Sequence, residues 1–236
     1  MIFLRSLAFT LALIVVTPPY SIIVLASFRL PPRARWQVIS GWARIILWLS
    51  RVLTGISYRV EGLEHLPREP AIILSKHQSA WETIAFQLIF PPQVQVLKRE
   101  LLWIPFFGWG LALMSPIAID RNRGSGALKR MAAQGARRIA QRFWILIFPE
   151  GTRVSPGKRG RYHAGGAWLA CRLGAPVVPV AHNAGLHWGK NEFIKRPGEI
   201  RVQIGEPIYP EGLKPEAVNA KAEEWIEARM AVLCPA

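Results

Sequence analysis

Short runs of branched apolar residues alternate with longer stretches of helical period along most of the chain. Ile56–Val60, Ala71–Ser75, Val94–Leu97, Ile117–Ile119, Trp144–Phe148, Val177–Ala181 and Ile200–Ile204 have the composition of strands. Between them, Trp81–Phe90, Ser125–Phe143 and His163–Leu173 read as helices. In Ser125–Phe143, Leu128, Met131, Ala132, Gly135, Ile139 and Phe143 recur every three or four positions. Lys129, Arg130, Arg137 and Arg138 fall elsewhere, so one face is apolar and the other basic. Pro215–Leu233 is a further charged helix with Trp225, Ile226, Met230 and Leu233 on one side. Strands alternating with helices predict an α/β fold with a mostly parallel sheet covered by helices. No internal repeat is visible.

The N-terminal stretch has a different character. From Ser6 to Phe28 there is no charged residue, a run long enough for a bilayer core of about 30 Å. Pro18-Pro19 divides it into Leu7–Thr17 and Tyr20–Phe28, about 16 and 14 Å long as helices and each too short to cross alone. A kinked span and a re-entrant hairpin in one leaflet both fit. Arg5 before an apolar core and the small residues of Val24-Leu25-Ala26-Ser27 also suit a cleavable signal peptide. Arg29, Arg33 and Arg35 directly after the run oppose that and favour retention on the cytoplasmic side. Trp36–Thr54 sets Gln37, Ser40, Arg44 and Arg51 among Ile45, Ile46, Trp48, Leu49, Val52 and Leu53, the pattern of a helix in a membrane interface, with a buried core helix as the alternative. The chain thus divides into a membrane anchor with its interfacial helix, 1–54, and one catalytic domain, 55–236.

Lys plus Arg number 30 against 15 Asp plus Glu, a formal charge of +15 that favours lipid headgroups, phosphorylated cofactors or nucleic acid. A hydrophobic content of 51% with ten Trp favours the membrane, and no nucleic-acid recognition motif is present. Cys171 and Cys234 lack CxxC or Cys/His spacing, which argues against a disulfide framework or a zinc site. Cys171, in Ala167-Trp168-Leu169-Ala170-Cys171, reads as packing. His65, beside Leu63 and Leu66, reads as a turn residue. His182 and His187 have no carboxylate at metal spacing, so no metal is expected.

Two segments carry chemistry. Ser75-Lys76-His77-Gln78-Ser79-Ala80-Trp81-Glu82 sits where a strand meets a helix, with one carboxylate five residues after one histidine. A carboxylate there can hold one imidazole nitrogen and leave the other as a general base of fixed tautomer. Ser79-x-x-Glu82 equally satisfies the capping-box pattern, in which the carboxylate serves backbone N–H groups, and the residues alone leave both readings open. Phe148-Pro149-Glu150-Gly151-Thr152-Arg153 follows the apolar run Trp144-Ile145-Leu146-Ile147. Its glycine permits close approach, its hydroxyl donates, and its arginine can bind a phosphate through two hydrogen bonds; a polar turn is the alternative.

Together these segments resemble the 1-acylglycerol-3-phosphate acyltransferase family of phospholipid biosynthesis, in which a His-x4-Asp block is followed by Phe-Pro-Glu-Gly-Thr-Arg at about this separation. The likeness runs from Gly62 to Pro207. It includes Lys98-Arg99-Glu100-Leu101 with Pro105 and Gly108, continuing to Ile119-Asp120-Arg121, and Ala175-Pro176-Val177-Val178-Pro179-Val180-Ala181. The resemblance implies a glycerolipid acyltransferase-like fold and transfer of an acyl group from a thioester to the sn-2 hydroxyl of lysophosphatidic acid, giving phosphatidic acid. By it, His77 takes the hydroxyl proton, Glu82 orients His77, and Arg121, Glu150, Gly151, Thr152 and Arg153 line the substrate-phosphate site. It implies direct transfer in a ternary complex, in keeping with the lack of a G-x-S-x-G elbow or a nucleophilic Cys. It also implies membrane lipids as partners, acyl-CoA or acyl carrier protein as co-substrate with no other cofactor, and a bacterial-type inner membrane with the catalytic domain on its cytoplasmic side.

Three positions depart from the family pattern. Glu82 stands where aspartate is usual, one methylene longer. Lys76 stands where asparagine commonly precedes the histidine, adding a positive charge of the kind that lowers a histidine pKa. His163 stands where a lysine often follows the second block. The same blocks would serve an acyltransferase for another lysolipid or for glycerol 3-phosphate, and the Glu82 replacement leaves room for an inactive basic membrane-surface scaffold.

Overall fold

The branched apolar runs pair side by side. The computed structural model describes residues 1–103, 107–120 and 124–235. Within these, β1 (Ile56–Glu61), β2 (Ile72–Ser75), β3 (Gln93–Lys98), β4 (Ile117–Ile119), β5 (Trp144–Ile147), β6 (Val177–His182) and β7 (Gly198–Ile204) form a seven-stranded sheet in the order β1-β7-β6-β2-β5-β3-β4. Neighbours are parallel except β6 and β7, which run antiparallel with Val180 opposite Ile204. Each strand agrees with its sequence reading to within a residue or two.

Parallel pairing requires crossovers, and α3 (Trp81–Ile89), α4 (Phe107–Leu113), α5 (Gly124–Ala140) and α6 (Gly165–Leu173) lie in them, while the short α7 (Ala184–His187) lies between β6 and β7. Strands covered on both faces read as near-continuous apolar runs, and β2, β5 and β6 are buried throughout, polar only at Ser75 and His182 where β2 and β6 end. Ile73, Leu146 and Val178 pack to one side with Trp81, Ala85 and Phe86 of α3. Ile72, Leu74, Ile145 and Ile147 pack to the other with Met131 of α5, Leu169 of α6, and Val218 and Ala222 of α8 (Pro215–Leu233). Because β2, β5 and β6 are parallel, their C-terminal ends share one edge of the sheet. Both chemistry-bearing segments emerge there, as ligand-binding loops of α/β sheets generally do.

At the N-terminus the structure departs from the pattern. The two pieces predicted around Pro18-Pro19 are one helix, α1 (Ile2–Ala26), with both prolines inside it. A 3-10 turn, Ser27–Arg29, leads to α2 (Pro32–Leu49), which returns antiparallel to α1. Proline deletes a helix hydrogen bond and crowds the preceding turn, so local propensity favours a break. Contacts along α2 outweigh it: the Tyr20 hydroxyl donates to Val38 O at 2.6 Å, and Trp42 Nε1 donates to Thr17 Oγ1 at 3.4 Å.

The start of α1 is fixed to the rest of the molecule. Arg5 Nε donates to Leu53 O (2.9 Å), the Lys195 N–H donates to Ser6 Oγ (2.9 Å), and buried Phe9 meets Trp188 edge-on at 5.1 Å. In α2, Ile39, Ala43, Ile46 and Leu47 are buried, while Ile45, Trp48 and, in the following π turn, Val52 are exposed. One face therefore joins the core and the other is left apolar and uncovered. Exposed Leu7, Leu11, Ile14, Val15, Ile22 and Ile23 continue that surface along α1, which is long and apolar enough to cross a membrane.

Candidate active site

His77 lies on the loop between β2 and α3. Its Nδ1 is 2.8 Å from Glu82 Oε1, and the same oxygen accepts the N–H groups of Gln78 (2.9 Å) and Ser79 (2.8 Å). The carboxylate thus holds the imidazole and closes the first turn of α3 at once, so the two alternatives left open by the sequence are one arrangement. The extra methylene of Glu82 lets it reach back over the helix start, where the helix dipole also favours a negative charge. Ser79 Oγ accepts the Trp81 N–H (3.0 Å) as a helix cap. With Nδ1 donating to a carboxylate, Nε2 of the neutral ring is left as an acceptor. The ring stacks on Phe148, centroids 3.9 Å apart, and its side chain retains 14% of its exposure.

Two buried ionisable groups behind His77 set its surroundings. Burial by itself would raise the Glu82 pKa, but the imidazoles of His182 and His77 and the Ser79 N–H outweigh it and hold the carboxyl below its ordinary value. His182 donates from Nε2 to Lys76 O (2.9 Å) and accepts the Ala184 N–H at Nδ1 (3.3 Å), the pattern of a neutral ring. Burial, outweighing the attraction of Glu82, keeps its pKa below the ordinary 6.5. A group with a depressed folded-state pKa binds its proton more readily when unfolded. Its contribution to stability is therefore complete above about pH 6.5 and lost as the pH falls below that. His182→Gln, which keeps a donor for Lys76 O, is expected to flatten the fall in melting temperature between about pH 7 and pH 5; an unchanged slope would mean that His182 does not fold as the neutral ring.

The second segment leaves β5 at the same edge. Gly151 has φ +66°, a left-handed conformation that strains any residue with a Cβ, and its N–H closes a turn onto Phe148 O at 3.0 Å. This turn brings Gly151, Thr152 and Arg153 to the wall of a cleft of about 590 Å³ that also contains His77 and Phe148. Glu150 points the other way. Its side chain is fully buried behind the loop, where Oε1 accepts Lys76 Nζ (2.8 Å) and the Gly160 N–H (3.0 Å) while Oε2 accepts the His77 N–H (3.3 Å). A Cβ on Gly160 would sit 2.7 Å from that Oε1, so the close approach needs glycine. A carboxylate in this place offers a phosphate no donor; it braces the two loops against each other.

Lys76 likewise turns away from the cleft. Its fully buried ammonium also reaches Glu227 Oε1 (2.9 Å), so it does not present a bare cation to the imidazole. His163 is exposed and outside the cleft wall. Arg121 and Pro105 lie outside the described residues. Burial raises the pKa of both Cys171 and Cys234, the opposite of an activated nucleophile. Among the described residues no group of three or more His, Cys, Asp or Glu is placed to hold a metal.

The cleft has two characters. Ile39, Trp42 and Ala43 of α2, Ala80 just before α3, Ile84 of α3, and Leu111 and Met114 give it apolar walls, while Thr152, Arg153, Lys98 and Lys190 give it a polar, basic portion. Sequence reasoning assigned no role to Lys98, although it lies in a quoted block, and Lys190 carried no motif or periodic signal. The α2 residues were read as anchor and are also cleft wall. A larger cavity of about 780 Å³ opens beside α8, between His65 and Trp225, and contains no residue of the His77–Glu82 or Phe148–Arg153 segments. Both have basic side chains, Lys221 and Arg229 in the larger, so the choice rests on the smaller holding His77, with its Glu82 partner, beside Thr152 and Arg153.

Comparison with known proteins identifies relatives and a shared fold. A model of the family described as Acyltransferase matches residues 57–183. The chain is 50% identical over 210 residues to the 1-acyl-sn-glycerol-3-phosphate acyltransferase of Pseudomonas aeruginosa, covering 87% of this chain and 82% of that one. It is 31% identical over 189 residues to the mouse 1-acyl-sn-glycerol-3-phosphate acyltransferase alpha, covering 76% of this chain and 65% of that one. The crystal structure of the 1-acyl-sn-glycerophosphate acyltransferase from Thermotoga maritima shares the fold, with a TM-score of 0.80 over 99% of this chain and 96% of that one at 22% identity. Two motifs on one cleft, a matching family model and a relative alike over most of both lengths establish that the chain belongs to the 1-acyl-sn-glycerol-3-phosphate acyltransferase family.

Proposed function

We propose that the protein transfers an acyl group from acyl-CoA or acyl carrier protein to the sn-2 hydroxyl of lysophosphatidic acid, releasing phosphatidic acid and the free thiol. The observation that carries this reading is the His77 Nδ1–Glu82 bond, which leaves Nε2 available in a cleft with apolar walls and a basic portion. Nε2 takes the hydroxyl proton as the oxygen attacks the thioester carbonyl, and Glu82 stabilises the imidazolium. The C–S bond then breaks and the imidazolium returns the proton to the departing thiolate. Arg153 and Thr152, brought to the cleft by the turn at Gly151, hold the substrate phosphate, joined on the family resemblance by Arg121. The thioester is already activated, so the reaction calls for no metal or other cofactor.

The same reading places the protein on the cytoplasmic face of a bacterial-type inner membrane. The chain leaves the catalytic domain along α1 and returns to it along α2, whose inner face packs on the core, so the pair lies against the domain and presents its exposed apolar residues outward. That supports insertion into one leaflet, with lysolipid entering sideways and the polar donor arriving from the aqueous side.

Vesicles carrying lysophosphatidic acid or, in parallel, free glycerol 3-phosphate with plain vesicles test both parts. With a soluble acyl thioester, phosphatidic acid is expected from the first mixture, little product from the second, and co-sedimentation of the protein with vesicles at high salt. Preferential acylation of glycerol 3-phosphate, or of another lysolipid, would replace the acceptor assignment, and release by salt would remove the inserted anchor.

A further inference from the structure

The ammonium of Lys76 is among the most deeply buried charges in the molecule, and it belongs to the residue immediately before His77. A lysine side chain has three protons to donate, and here each has an oxygen: Glu150 Oε1 at 2.8 Å, Glu227 Oε1 at 2.9 Å and Lys158 O at 3.2 Å. Glu227 comes from α8, far along the chain and outside both motifs, and its Oε1 is also fixed by the Tyr162 hydroxyl at 2.7 Å. From this cluster, bonds radiate to the backbone on either side of the imidazole. Glu150 Oε2 accepts the His77 N–H at 3.3 Å, His182 Nε2 donates to Lys76 O at 2.9 Å, and the Val154 N–H donates to His77 O at 2.8 Å.

We infer that Glu227 is a positioning residue for His77, acting through Lys76. This rests on the general-base reading of His77. A buried cation deprived of one acceptor draws in those that remain. Glu150 is the partner that can move towards Nζ, and its long 3.3 Å contact with the His77 N–H is the first to be given up. The His77 loop then loses one of its backbone ties, while the side chains of Thr152 and Arg153, which are not bonded to any of these groups, keep their places. A small displacement of a general base is costly because proton transfer depends steeply on distance.

The test is steady-state acyl transfer to lysophosphatidic acid by the full-length protein carrying Glu227→Ala or Glu227→Gln, expressed per folded enzyme from circular dichroism at the assay temperature, with His77→Ala alongside. Glu227→Ala is expected to lower kcat about tenfold with KM for lysophosphatidic acid within about twofold. Glu227→Gln keeps an acceptor oxygen for Nζ and for Tyr162 and is expected to recover most of the loss. Wild-type kcat in folded Glu227→Ala, or a change confined to KM, overturns the inference. If Glu227→Ala does not fold, Glu227→Asp decides: one methylene shorter, it draws away from Nζ, and an undiminished kcat in the folded variant counts against the role. A dead His77→Ala beside a wild-type Glu227→Ala removes this inference alone, whereas an active His77→Ala removes the general-base reading and this one with it.

Discussion

His77→Ala lowers kcat for acyl transfer about a thousandfold, within the range general-base catalysis contributes, while the melting temperature changes little. The small structural cost follows from the division of labour at Glu82. Without the imidazole, Oε1 still accepts the Gln78 and Ser79 N–H groups, so α3 keeps its start. Glu82→Gln separates the two duties of that side chain. Its amide oxygen can still accept from both backbone groups and from Nδ1, but it carries no charge to stabilise the imidazolium, and a loss of about ten- to a hundredfold in kcat is expected with the fold intact. Full activity in Glu82→Gln would reduce the carboxylate to a helix cap, and near wild-type turnover in His77→Ala would end the general-base assignment.

Arg153→Ala acts on the other half of the reaction. Arg153 lines the cleft and its side chain makes no ion pair among the described residues, so its removal uncovers no buried partner. A charge-assisted hydrogen bond contributes about 1.5–3 kcal/mol, so KM for lysophosphatidic acid rises about ten- to a hundredfold with kcat within about threefold. Arg153→Lys restores the charge without the paired donors and falls between. The opposite split, with kcat lost and KM preserved, would move Arg153 from phosphate binding to the transition state.

Sequence periodicity located the strands because the sheet is covered on both faces: runs such as Ile72–Leu74 and Trp144–Ile147 have no position at which a polar residue would be tolerated. It also brought His77 and Glu82 together, since five residues at a strand-to-helix junction place them within reach. What escaped it depends on pairing across the chain. The bonds from Lys76 to Glu150 and Glu227 join positions 74 and 151 residues apart, and no local pattern records them. Glu150 was therefore read with its motif neighbours as facing the phosphate, although the turn closed by the Gly151 N–H on Phe148 O sends its side chain behind the loop. Pro18-Pro19 left a kinked span and a hairpin both open for the same reason, because the partner that keeps α1 continuous, α2, lies beyond the window that local propensity considers.

The position of α2 limits how a water-soluble form of the enzyme can be obtained. Trimming the first 54 residues would remove apolar surface, but it would also take away Ile39, Trp42 and Ala43 and leave the reaction cleft without one of its walls. Repainting the outer face instead, with polar residues at Leu11, Ile14, Val15, Ile45 and Trp48, spares every residue that lines the cleft. Helices that appear by composition to be a detachable tether are, by placement, part of the vessel in which the chemistry takes place.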